Sequence, residues 1–292
     1  MASLQANLIN FIFSKIPASD GDFVKERENN AKMKIKKPKD IEIVERDLNG
    51  FPADFITKKG NEKGIIFYIH GGGFTTGSAR ERRSITQYLV SKYGYDCISI
   101  NYRLAPENKW PAALDDCVCA YEKVLEEYDS KDLVLMGESA GGSLVLSLGL
   151  KIKEKGLDMP KAIVAFSPST DLYEDLPSHK GNIRTDYMLK DAISRGLHLA
   201  LFDHDPDESE LKDPLLSPYY GDYEGLPPIF LAASDSETLL DDSIILYNKL
   251  FNQGHNVKLS VGHDLIHAYP MLPFIPEAKD CLKEVFAFLG SL

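Results

Sequence analysis

Cysteine is scarce in this chain: there are four in 292 residues, at Cys97, Cys117, Cys119 and Cys281. Their spacing fits neither a zinc site nor a disulfide framework, and their surroundings read as core strand and helix positions. Reduced thiols in a cytoplasmic protein are the expectation. A surplus of positive charge is also missing, because 33 basic against 44 acidic side chains leave a net charge of −11. That balance argues against nucleic acid or an anionic membrane as a partner. The one locally basic run, KMKIKKPK at 32–39, reads as a solvated connector. No apolar run is long enough to span a bilayer. The N-terminal MASLQANLINFIFSKIPASDG has no basic leader and no A-x-A site, and Lys15 interrupts it early. It reads as an amphipathic helix with Leu4, Leu8, Phe11 and Ile12 on one face. Low-complexity tracts and internal repeats are absent too. A composition of 43% hydrophobic and 26% charged residues is that of a globular protein able to bury a large core.

From about residue 40 the chain alternates between strand and helix patterns. IEIVERDL and FPADFITKK, separated by Asn49-Gly50, read as a β-hairpin, since Asn-Gly suits a type I′ turn. Six apolar runs follow at 64–70, 96–102, 132–139, 161–169, 227–234 and 256–262, with helical stretches between them. Continuous apolar strands alternating with helices predict an α/β fold with a mostly parallel central sheet covered on both faces. The alternation breaks once, between about 171 and 226, where DAISRGLHLALF reads as helical and DHDPDESELKDPLLSP as an acidic loop. The expectation is one domain over 1–292, with a small helical cap from about 1–40 and 171–226 above the carboxyl ends of the strands, where such sheets bind ligands.

Chemistry concentrates in three places. VLMGESAGGS carries G-x-S-x-G at Gly137–Gly141, between an apolar strand and a small-residue helix. That strand–turn–helix setting makes Ser139 a candidate nucleophile, with the amide of Ala140 at a helix N-terminus where an oxyanion is stabilised. YIHGGGFTTGS follows another strand, and its glycines let the backbone approach a reacting centre. Gly72 and Gly73 are the candidate oxyanion donors beside Ala140. Gly71 shapes the turn, and His70 fixes the loop by hydrogen bonding. No G-K-[ST] follows, which disfavours a phosphate loop. The third place, VGHDLIHAYP at 261–270, sets two histidines four apart around an acid, loosely like a zinc peptidase helix. Gly262 and Pro270 bracket it, however, so a loop is expected, with His267 as a lone base and no metal.

HGGG at 70–73, NYRLAPENKWPAALDD at 101–116 and GESAGG at 137–142 together resemble the hormone-sensitive-lipase family of α/β-hydrolase carboxylesterases, from about residue 64 to the end. The resemblance implies the α/β-hydrolase fold, a lid and a Ser–acid–His triad in that order. It places the acid in ASDSETLLDD at Glu237, with Asp235 as the other candidate, and the histidine in IHAY at His267, 30 residues on. Glu in place of Asp at 237 and at 138, and Ala-Tyr in place of Gly-Phe after the histidine, depart from the family pattern while keeping its chemistry. The implied reaction is hydrolysis of small-molecule esters of short acyl chains through an acyl-enzyme, with no cofactor. An amidase or deacetylase using the same triad and a non-catalytic ligand-binding relative are the alternatives. Tyr102-Arg103 and Asp115-Asp116 are expected to buttress the glycine loop. Phe74, Tyr187, Leu189 and Phe202 are candidates for an acyl pocket. Pairing of relatives through the last strand and helix implies a homodimer.

Overall fold

Asn49 and Gly50, at φ 60° and 98°, form the two-residue turn between β1 (Glu42–Asp47) and β2 (Pro52–Thr57), with Asp47 opposite Pro52. Positive φ at both central residues is what a type I′ hairpin requires, as the Asn-Gly pair predicts. The computed structural model describes residues 2–17, 21–173, 175–189 and 200–292. Two helices precede the hairpin, α1 (Leu4–Lys15) and α2 (Phe23–Ala31). After it come β3 (Ile65–Ile69), α3 (Arg83–Tyr93), β4 (Asp96–Ile100), α4 (Ala112–Leu125), β5 (Leu133–Glu138), α5 (Ala140–Lys155) and β6 (Ala162–Phe166). Short helices α6 (Pro177–Gly181) and α7 (Glu208–Leu211) follow, then β7 (Ile229–Ser234), α8 (Leu240–Asn252), β8 (Val257–Gly262) and α9 (Pro276–Gly290).

The eight strands form one sheet in the order β1-β2-β4-β3-β5-β6-β7-β8. β1 and β2 run antiparallel, β2 meets β4 antiparallel, and every pairing from β4 to β8 is parallel. All six expected apolar runs are strands. Side chains alternate between two cores, which is why the runs are apolar without a break. Leu133 and Leu135 face a core built with α4, α5 and α8, whereas Val134 and Met136 face one built with α3 and α9. Each such fully buried side chain contributes about 1.5–3 kcal/mol.

The N-terminal helix forms as expected, but its apolar stripe is not the face that docks. Leu4 is 87% exposed and Phe11 60%, while Ala6 and Asn10 on the opposite side are buried. Polar groups seat α1 instead: Ser3 bonds the Glu277 carboxylate through its N–H and its hydroxyl, and Asn10 donates to the Asp264 carbonyl at 2.9 Å. α2 is held by Arg27, whose guanidinium donates to the carbonyls of Thr75 (2.7 Å) and Ala105 (2.5 Å) and to Glu107. The helical stretch expected at 191–202 lies outside the described residues apart from 200–202, where Ala200 and Leu201 are helical and buried.

Candidate active site

β5 ends at Glu138 and α5 starts at Ala140, so one residue, Ser139, makes the whole turn. Its φ of 55° and ψ of −125° lie where side-chain-bearing residues are strained. The turn is held by the Ser139 N–H donating to the Phe166 carbonyl at 2.8 Å and by the Ser143 N–H donating to the Ser139 carbonyl. Crowding explains the glycines on either side. A Cβ at Gly137 would stand 2.4 Å from the Gly141 carbonyl oxygen, and one at Gly141 would stand 2.1 Å from that of Ile69.

The glycine loop after β3 lies against this turn, since a Cβ at Gly71 would come within 3.0 Å of the Ser139 Cβ. The Gly71 N–H donates to Glu138 Oε1 at 2.6 Å, and the Thr75 and Thr76 N–H groups both donate to the Gly72 carbonyl. Among the described residues, the N–H groups of Gly72, Gly73 and Ala140 have no acceptor. His70 is buried, donates from Nδ1 to the Gly71 carbonyl at 2.9 Å and stacks on Tyr102, whose hydroxyl donates to the His70 carbonyl. Burial pushes its pKa down to about 3, so the ring is neutral and serves the loop. Arg103 clamps Asp116 through Nε and Nη2, while Asp115 is exposed. Tyr102 thus reaches the glycine loop directly, whereas Asp116 holds the neighbouring Arg103. Phe74 is buried edge-on to Trp110, Phe202 packs on the same core, and Tyr187 and Leu189 are half-buried.

The two histidines of 261–270 face different acids. His267, on the loop after β8, donates from Nδ1 to Glu237 Oε2 at 3.0 Å, and both side chains are buried. His263, exposed, lies 2.5 Å from Asp235 Oδ2. The Asp235 carboxylate also accepts from the Asp264 N–H. With Nδ1 donating, His267 Nε2 is the free acceptor, and this buried atom has no partner among the described residues. Burial pulls the His267 pKa down, but the Glu237 hydrogen bond and charge, joined by Asp186 and Glu138, carry it above the ordinary histidine value. Among the described residues no group of three or more His, Cys, Asp or Glu side chains is placed to hold a metal ion.

Several neighbours belong to no motif in the sequence. Ser167, at φ 48° just past β6, donates to Glu237 Oε2 at 2.8 Å and accepts from the Ala268 N–H. Asn182 donates to the carbonyls of Asp235 and Glu237, and Arg82 and Tyr68 both reach Glu138. Only Ser167 had a positional clue, since it stands at the carboxyl end of a strand beside Ser139, where α/β sheets bind ligands.

A family model for the alpha/beta hydrolase fold matches residues 66–271. An esterase of Acinetobacter venetianus is 31% identical over 86% of this chain and 83% of that protein. An acetyl-hydrolase of Streptomyces hygroscopicus is 29% identical over 82% of this chain and 79% of that one. Among solved structures, a hormone-sensitive lipase from a metagenome library aligns with TM-score 0.89 at 29% identity, covering 98% of this chain and 96% of that one. An esterase of the bacterial hormone-sensitive lipase family aligns with TM-score 0.87, also at 29% identity, over 99% and 98%. No helix among the described residues is long and apolar enough to cross a membrane. The chain belongs to the α/β-hydrolase family, among its hormone-sensitive-lipase-like esterases.

Proposed function

We propose that this carboxylic ester hydrolase works by acyl transfer to Ser139, with His267 as base and Glu237 as the acid that orients it. One observation carries the reading: His267 is tethered to buried Glu237 through Nδ1, which leaves Nε2 buried and unpartnered among the described residues. Nε2 takes the Ser139 Oγ proton as the oxygen attacks the ester carbonyl carbon. The N–H groups of Gly72, Gly73 and Ala140 hold the resulting oxyanion. Collapse breaks the bond to the alcohol oxygen, which leaves with the proton from the imidazolium. Water then attacks the acyl-enzyme, giving its proton to the same nitrogen, and Ser139 departs with it. The balance closes with ester and water alone.

The acetyl-hydrolase relative supports short acyl chains. A cap from about 1–40 and 171–226 is supported by two contacts: Arg27 ties α2 to the glycine loop, and Asn182 bonds the turn after β7. Among the described residues β8 pairs only with β7, and its other edge beside α9 is open, which supports a homodimer there. The four free cysteines suit the cytoplasm.

Hydrolysis of p-nitrophenyl acetate, butyrate and octanoate by wild type and Ser139→Ala, with and without EDTA, tests the reading. It requires activity that resists EDTA, prefers the shorter chains and collapses in the variant. Loss to EDTA, or cleavage of anilides but not esters, contradicts it.

A further inference from the structure

Glu138 sits beside the nucleophile and takes no part in the chemistry above, yet it is a carboxylate only 2% exposed. Its Oε1 accepts from the Gly71 N–H at 2.6 Å and from Arg82 Nε at 2.5 Å, and its Oε2 accepts from the Tyr68 hydroxyl at 2.5 Å. These partners come from the end of β3, the first glycine of the loop and the residue that precedes α3. Stability alone is a poor reason for such a group, because desolvating an ion pair consumes most of what the pairing gains. The arrangement does fix one thing that matters. Occupying the Gly71 N–H removes it from the site and sets the peptide plane from which Gly72 and Gly73 follow. The turn beyond is closed by Thr75 and Thr76 on the Gly72 carbonyl, so the loop is pinned at both ends.

We infer that Glu138, held by Arg82 and Tyr68, is a positioning residue that aims the Gly72 and Gly73 amides at the developing oxyanion. The inference rests on the proposed role of those amides. Donors aimed in advance cost no reorganisation during the reaction, so the effect belongs to the transition state and leaves substrate binding alone.

The test measures kcat and KM for p-nitrophenyl butyrate in Glu138→Gln, Glu138→Ala, Tyr68→Phe and Ser139→Ala. Beside these stand the inhibition constants of an alkyl trifluoromethyl ketone and of its unfluorinated methyl ketone. The trifluoromethyl ketone adds the Ser139 oxygen at its carbonyl carbon, passes the serine proton to His267 and leaves an oxyanion; the methyl ketone only binds. Glutamine keeps an acceptor for Gly71 without the charge, so kcat falls in the order wild type, Gln, Ala, at constant KM. The loss in Ala is about tenfold to 10³-fold, the upper end being what deleting a donor outright costs. Tyr68→Phe loses about two- to tenfold, the worth of one hydrogen bond. Affinity for the trifluoromethyl ketone falls in step with kcat/KM while that for the methyl ketone holds. The acid limb of the Glu138→Gln profile moves to lower pH, because this carboxylate is among the charges raising the His267 pKa. A dead Ser139→Ala together with unchanged kcat and ketone affinities in folded Glu138→Gln and Tyr68→Phe overturns the inference alone. An active Ser139→Ala overturns the site assignment and the inference with it. If Glu138→Ala does not fold, the Gln and Phe variants still decide the matter.

Discussion

His267 Nδ1 bonds Glu237 Oε2 at 3.0 Å, while Asp235, two residues earlier, is engaged by His263 and the Asp264 N–H. The sequence left two candidate acids two residues apart, and the fold separates them by hydrogen-bond partner. Glu237→Gln is expected to lower kcat by about 10²–10⁴, the range for losing the orienting acid of a triad. Asp235→Asn should stay within a few-fold of wild type. The two rate constants, measured on the same ester, check this; equal losses contradict the assignment.

The pH dependence follows from the His267 pKa, which stands above the ordinary 6.5 because Glu237, Asp186 and Glu138 outweigh burial. A base must be neutral to accept a proton, so kcat/KM falls as pH drops through that raised value. With His267 as the proposed base, the acid limb is expected above 6.5 in wild type, read from kcat/KM against pH. In Glu237→Gln the strongest raising partner is gone, and the residual activity should show the limb at lower pH.

Two glycines of the site answer differently to alanine. At Gly141 a Cβ would stand 2.1 and 2.6 Å from the carbonyl oxygens of Ile69 and His70, with only backbone to yield. Gly141→Ala should cost most of the activity and several degrees of Tm. At Gly73 the nearest atom is Thr75 Oγ1 at 3.8 Å, and the difficulty is the φ of +60° alone. Gly73→Ala should cost about 1–2 kcal/mol by thermal or urea unfolding.

His179 joins α6 to the start of α8 through Asp242, at 2.7 Å from Nε2. Burial lowers its pKa, but Asp242, with Asp175 and Asp241, raises it above 6.5 overall. A raised folded pKa stabilises the native state fully below the unfolded value, and this is lost as pH rises through the folded one. The Tm difference between wild type and His179→Gln should be largest near pH 6 and shrink above neutrality. A difference that grows with pH contradicts the pairing.

Arg27 holds α2 on the glycine loop through the Thr75 and Ala105 carbonyls and Glu107. Arg27→Ala should speed limited proteolysis within residues 16–40 while leaving the rest of the chain resistant. Uniform acceleration along the chain would point to global destabilisation.

Much of this was legible from local pattern. Asn49-Gly50 gave the hairpin, because a two-residue turn with positive φ admits few sequences. The apolar runs gave β3 to β8, because strands buried on both faces cannot alternate polarity. G-x-S-x-G and HGGG were legible because Gly71, Gly72, Gly137 and Gly141 meet backbone at distances that exclude a side chain. The α1 stripe misled, since Ser3, Ala6 and Asn10 seat the helix and periodicity reports an apolar face without saying which face docks. The start of α3 at Arg83 has no local signature, because Ser78 and Glu81 cap each other and the Ala79 N–H is taken by Asn101. Ser167, Asn182 and Arg82 reach their partners across 70, 55 and 56 residues, and no local pattern encodes such contacts.

The most direct test of the account is to treat the enzyme with a p-nitrophenyl alkylphosphonate and follow both p-nitrophenol release and peptide mass. Acyl transfer through Ser139 predicts one equivalent of p-nitrophenol per chain, a phosphonyl group on the peptide containing Ser139 and matching loss of esterase activity. Inactivation with the group on another residue, or full activity after modification of Ser139, would contradict it.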